Sequence, residues 1–134
     1  MAWQCIASGA NGLVFYSFAA IQKGTHGLKF ETAWADICEV GWEIRKYMPV
    51  LLSVEPAPAV SGVPAEWCVR VWRKDGETWL LVVNAQDEAC EAVLTLSEDF
   101  SAVRSESGPD AEKTGPRALR VSLAPNQPAF YRIR

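Results

Sequence analysis

A chain of 134 residues has room for one domain with a real core. Its hydrophobic fraction of 49% and its six tryptophans exclude a disordered chain, and a net charge of −3 gives no basic footprint for nucleic acid. No apolar run reaches the ~18 residues needed to span a membrane, and the first residues lack the basic and apolar regions of a signal peptide, so the leader of an exported parent would lie upstream.

Residues 2–7 read as a short helix, and Gly9 suits the left-handed position after a helix end. Gly12 then releases the chain into a continuous apolar run, Leu13 to Phe18. Without polar alternation, such a run predicts a strand buried on both faces, as in a parallel sheet. A loop follows over 19–29, with Gly24, Gly27 and the single histidine, His26.

A helix is predicted over 32–48. Thr32 can cap it, Asp36 suits its opening turns, and Arg45 and Lys46 suit its close. Pro49 disfavours helical backbone at Met48 and sets the expected end. Trp34, Ile37, Gly41, Ile44 and Met48 repeat at helical spacing, and Ala33, Cys38, Val40, Trp42 and Tyr47 widen the apolar surface beyond one stripe. A helix apolar on more than one side is expected to be buried on more than one side. The proline-spaced stretch 56–65 reads as a stiff connector between segment 1–55 and a β domain, 66–134.

That third segment reads as antiparallel. Trp67 to Arg73 and Thr78 to Ala85 flank Lys74-Asp-Gly-Glu77, a strong hairpin signal. A two-residue turn at Asp75-Gly76 pairs Lys74 with Glu77, Trp72 with Trp79, Val71 with Leu80 and Val69 with Val82. Trp67, Val69, Val71, Leu80 and Val82 then share a core face. Cys68, Arg70, Trp72, Trp79, Leu81 and Val83 share the other, which is too apolar to be solvated and is expected to be covered by the helix or by a partner. Further strands are predicted over 90–96, 102–106, 118–123 and 129–133, with a polar loop over 107–116. Many short strands with turn signals make a β-sandwich. The fold class is therefore α+β: an antiparallel β-sandwich preceded by one short helix, one strand (13–18) and one long packed helix.

Cys5, Cys38, Cys68 and Cys90 have no Cys-x-x-Cys spacing and no adjacent histidine, so no metal is expected. A turn at residues 86–88 would place the 90–96 strand beside the second hairpin strand. Cys68 and Cys90 would then lie nearly two strand spacings of about 4.8 Å apart, too far for a disulfide. No catalytic constellation emerges. Glu31 with Asp36, Glu39 with Glu43, and Asp87 with Glu88 are the nearby carboxylate sets; Glu39 and Glu43, four apart on one helical face, read as a solvated polar stripe, His26 reads as a loop histidine, and Gly9-Ala-Asn-Gly12 precedes a strand and so cradles no phosphate. No cofactor is implied. The paired Trp72 and Trp79 are the one candidate binding platform, for carbohydrate stacking, with packing against the helix as the plainer reading.

The order of parts resembles the C-terminal end of a (β/α)8-barrel glycoside hydrolase. Ile6-Ala-Ser-Gly-Ala-Asn-Gly-Leu-Val-Phe-Tyr-Ser-Phe18 looks like a seventh helix turning into the eighth strand, and 32–48 like the eighth helix. Arg73-Lys-Asp-Gly-Glu-Thr-Trp-Leu-Leu-Val-Val-Asn84 looks like the first hairpin of the accessory sandwich, and Val121-Ser-Leu-Ala-Pro and Tyr131-Arg-Ile like its last strands. The resemblance implies a non-catalytic role, supporting a catalytic barrel that the chain does not contain, because the carboxylates of such barrels sit on earlier strands. It also implies that Tyr16, Ser17 and Phe18, with Gln22 and His26 at the rim, lie on the substrate side of the full-length parent. The alternative is a carbohydrate-binding sandwich using Trp72 and Trp79. An orphan strand at 13–18 has open edges, so it is expected to dock on the sandwich or pair with a second copy, as is the apolar second face.

Overall fold

The computed structural model describes residues 1–15, 22 and 29–134. Helix α1 spans Ala2–Ala7 and helix α2 spans Phe30–Leu51. Eight strands follow: β1 (Val60–Ser61), β2 (Trp67–Lys74), β3 (Glu77–Asn84), β4 (Cys90–Leu96), β5 (Val103–Ser107), β6 (Glu112–Lys113), β7 (Ala118–Leu123) and β8 (Pro128–Ile133). They form two four-stranded antiparallel sheets, ordered β2-β3-β8-β5 and β1-β4-β7-β6. The fold is α+β: a β-sandwich preceded by a short helix and a long helix.

The hairpin follows the expected register throughout, with Lys74 opposite Glu77 and Trp72 opposite Trp79. Asp75 and Gly76 both take positive φ, 54° and 79°, as the turn that matches strand twist requires. Alternation then sorts the side chains. Trp67, Leu80 and Val82 face inward with Leu94, Leu119, Val121 and Tyr131, forming the core between the sheets. Trp72, Leu81, Val83 and Phe130 face outward and meet Ile6, Ala7, Tyr47 and Val50 of the two helices. The molecule thus has three layers: helices, first sheet, second sheet.

Four local expectations change. First, β4 does not lie beside β3. It crosses to the second sheet and pairs with β1 and β7, while β3 takes β8 as its other neighbour. The strand following a short turn can join either layer of a sandwich, and alternation alone does not say which. Cys68 consequently packs on the helix side of the first sheet and Cys90 against the core between the sheets, and all four cysteines are free. Second, the connector contributes a strand. β1 closes an edge of the second sheet, with Val60 opposite Leu96. The chain turns away at Gly62, where φ is +77° and a Cβ would sit 2.5 Å from the Val93 carbonyl oxygen.

Third, α2 begins at Phe30 after Lys29, and it runs through Pro49 to Leu51. Proline removes one helical hydrogen bond at a cost of about 3 kcal/mol in a helix interior. Here it lies near the end of the helix, and burial of Tyr47 and Val50 on the sheet holds the last turn in place. Leu52 N–H donates to Met48 O, and Ser53 N–H to Val50 O. Fourth, the strand expected over 13–18 is not seen in its described part. Residues 13–15 carry no strand, and Val14 is 92% exposed. Leu13 instead packs against the outer cluster of the first sheet, at the junction with the helices. Residues 16–18 lie outside the described residues.

Candidate functional site at the junction of helices and sandwich

The first sheet's outer face is a platform of aromatic rings. Phe130 on β8 sits at its centre, 4.5 Å from Tyr47, 5.6 Å from Trp79, 6.1 Å from Trp72 and 6.3 Å from Trp3 between ring centroids. Strand pleating places Trp72, Trp79 and Phe130 on one face, and helical spacing turns Tyr47 down onto them. The Tyr47 hydroxyl donates to Glu106 O at 3.1 Å and accepts from Lys46 Nζ at 3.1 Å, which holds the Lys46 ammonium above its ordinary pKa. The indole of Trp3 donates to Glu43 Oε2 at 3.1 Å, so α1 is tied to α2 as well as to the sheet.

This packing fixes what the tryptophan pair can do. Trp72 is 3% exposed, and Trp79 is half-buried. The Arg70 guanidinium lies 5.0 Å from the Trp72 ring centroid and that of Arg132 lies 5.5 Å from Trp79. Arg132 in turn pairs with Glu106 at 3.0 Å and Glu77 at 3.5 Å. Trp72 therefore presents no free face on which a sugar ring could stack. The two rings are cross-strand partners, as their register requires, and they serve the helix–sheet interface.

Of the residues expected on a substrate side, Gln22 is exposed, and Tyr16, Ser17, Phe18 and His26 lie outside the described residues. Glu39 is exposed, whereas Glu43 is half-buried and engaged by Trp3. Among the described residues no group of three or more His, Cys, Asp or Glu side chains could hold a metal ion. No helix among them is long and apolar enough to cross a membrane.

The second feature of the junction is the helix face turned away from the sheet. Helix α2 is apolar over much more than the arc that packs. Ile44, Tyr47, Val50 and Leu51 point to the sheet. Trp42 is 67% exposed there, and Met48, 44% exposed, and Leu52 carry the apolar surface round to the junction with the sheet. The expectation that α2 is buried on more than one side is met on the sheet side only.

The third feature is a cavity of about 390 Å³ where α1, residues 10–15, α2 and β2 converge. Leu13, Ile44, Met48, Leu51 and Trp72 line it, and Arg70 stands in its wall. In the sequence Arg70 is one polar residue in an alternating strand and carries no signal of its own. Asn84, at the end of an apolar strand, is a second polar residue whose role only the fold reveals. It is fully buried, and its Nδ2 donates to the carbonyls of Glu88 at 2.8 Å, Ala124 at 3.1 Å and Leu123 at 3.3 Å. Its Oδ1 accepts from Gln86 N–H at 3.0 Å. One side chain thus fastens the end of β3 to the turn between β7 and β8 and so joins the two sheets.

No family model, curated protein or solved structure matches the chain.

Proposed function

We propose that the chain is the non-catalytic C-terminal portion of a glycoside hydrolase, whose role is to support a catalytic barrel. The observation that carries this reading is the two-faced helix. α2 is held to the sandwich by one apolar face and leaves Trp42, on its other side, uncovered. A helix between an accessory sandwich and a barrel needs this amphipathy on two sides. The order of short helix, long helix and sandwich agrees with it. The same uncovered face gives the isolated chain a surface for a second copy, which sedimentation velocity would detect as a dimer.

The test is the coding sequence upstream of Met1, read in the same frame. Further βα units, with Asp or Glu at the ends of two of the strands, are the expected result. An upstream region encoding any other architecture would overturn the proposal. A carbohydrate-binding role through Trp72 and Trp79 predicts saturable glycan binding that Trp79→Ala abolishes. With Trp72 buried, titration against a glycan panel is expected to show none.

A further inference from the structure

The cavity at the junction has a chemistry that neither barrel support nor sugar binding uses. Among the described residues its walls are hydrocarbon and indole, with the Asn11 amide and one fixed cation, Arg70. Arg70 Nη1 donates to the carbonyls of Ile6 at 3.3 Å and Ala10 at 3.4 Å, and Nη2 donates to Asn11 Oδ1 at 3.3 Å. These acceptors are neutral. Among the described residues no carboxylate pairs with Arg70, although Arg73, Arg104, Arg117, Arg120, Arg132 and Arg134 all have acidic partners. Among the described residues these contacts leave the Nε–H and one Nη2–H of the guanidinium without an acceptor, and Nε and Nη2 are the nitrogens that grip a carboxylate side-on. The guanidinium is held in place by the carbonyls of Ile6 and Ala10 and by the Trp72 ring, so little ordering is left to occur on binding. Trp72 adds a buried indole N–H that has no protein acceptor among the described residues. The volume falls within the range of small-molecule pockets, about 300 to 1,000 Å³.

We propose that this cavity binds an apolar monocarboxylate, with its carboxylate on Arg70 and its hydrocarbon body against Leu13, Ile44, Met48 and Leu51. One cation matches one negative charge. A dianion such as a phosphate monoester would leave charge unpaired against an apolar wall. A sugar would lose its hydroxyl hydration to a surface with few acceptors.

The test uses the full chain with octanoate and octanol as probes, followed by calorimetry and by the NMR signal of the Arg70 Nε–H. Octanoate is expected to bind saturably, at least tenfold tighter than octanol, and to shift that signal. Arg70→Gln is expected to weaken octanoate at least tenfold and leave octanol unchanged. Gly41→Leu is a second variant. Gly41 lines the cavity and a Cβ there meets nothing within 4 Å, so a leucine suits the helix while intruding on the cavity. It is expected to abolish binding of both probes. Absent octanoate binding, equal binding of octanol, or full octanoate binding by folded Arg70→Gln would each overturn the proposal. If Arg70→Gln fails to fold, retention of octanoate by Gly41→Leu overturns it and loss supports it.

Discussion

The two sides of the first sheet bury similar residues in different ways. Between the sheets, Leu80, Val82, Leu94, Leu119, Val121 and Tyr131 are all 0% exposed. On the outer side, Trp72 and Phe130 are nearly as deep, yet the helix that covers them is itself open, with Trp42 facing outward. The inner core is closed on itself by strands from both sheets. The outer cluster is closed on the sheet side and unfinished on the far side of α2. Strand alternation at period 2 leaves a residue either in or out, whereas a helix can hold an apolar arc wider than one neighbour can cover.

The largest expected effect separates the two clusters with one chemistry. Leu94→Ala, in the closed core, is expected to cost about 2 to 5 kcal/mol, the range for buried leucine truncations. Leu51→Ala, half-buried on the helix, is expected to cost less than about 2 kcal/mol, because the site can collapse toward solvent. Urea denaturation monitored by circular dichroism measures both. Equal losses would show that the helical layer is as tightly closed as the sandwich.

Asn84 tests how the closed core is fastened. Asn84→Ala leaves three carbonyls and one N–H without this partner in a buried place. Some of these groups regain partners by relaxation, so the expected loss is about 2 to 3 kcal/mol, near the cost of leaving one or two buried groups unpaired. A loss below about 0.5 kcal/mol would mean that the sheets are joined by apolar packing alone.

Tyr131 sharpens the contrast through pH. Its ring is buried between the sheets, and its hydroxyl has no protein hydrogen-bond partner among the described residues. Burial, and secondarily the Asp110 carboxylate, push its pKa well above the usual value near 10. Below pH 10 the phenol is protonated in both folded and unfolded chains, and the shift has no effect. Above pH 10 the unfolded chain loses this proton and the folded chain keeps it, so stability falls by about 1.4 kcal/mol per pH unit until the folded phenol titrates. Tyr131→Phe is expected to remove that part of the alkaline loss and to leave stability at pH 7 unchanged or slightly raised. Parallel denaturation midpoints at pH 7 and pH 10.5, for wild type and variant, measure the difference. An identical alkaline loss in the variant would place the effect on another group.

Much of this contrast could be read in the residues. The Asp75-Gly76 turn set the hairpin register, and alternation from it divided Trp67, Val69, Val71, Leu80 and Val82 from Trp72, Trp79, Leu81 and Val83. Gly9 marked the end of α1, where Gly9 N–H donates to Ile6 O and Ala10 N–H to Cys5 O. These are local signals, and local geometry satisfies them. The crossing of β4 to the second sheet depends on which layer offers a free edge, which no residue of β4 encodes. The helical turn past Pro49 depends on tertiary burial of Val50. The site was less legible still. Arg70 looks like any polar strand residue until the fold brings the carbonyls of Ile6 and Ala10 to the guanidinium, contacts across roughly sixty positions of sequence.

The smallest expected effect is the most informative about the open side. Trp42 is a large apolar residue at 67% exposure, and the Arg45 guanidinium lies 5.3 Å from its ring centroid. A tryptophan packed inside a protein costs about 3 to 5 kcal/mol to truncate. An exposed one away from any packing contact falls within about 0.5 kcal/mol of neutral. Trp42→Gln is therefore expected to leave the urea midpoint within experimental scatter while lowering self-association and the binding of apolar dyes. A loss above about 1 kcal/mol would mean that Trp42 is packed in solution and that α2 is closed on both faces, which would remove the observation on which barrel support rests. A neutral result with reduced self-association leaves α2 as a helix with one face satisfied and another still available, the property that separates it from every strand of the inner core.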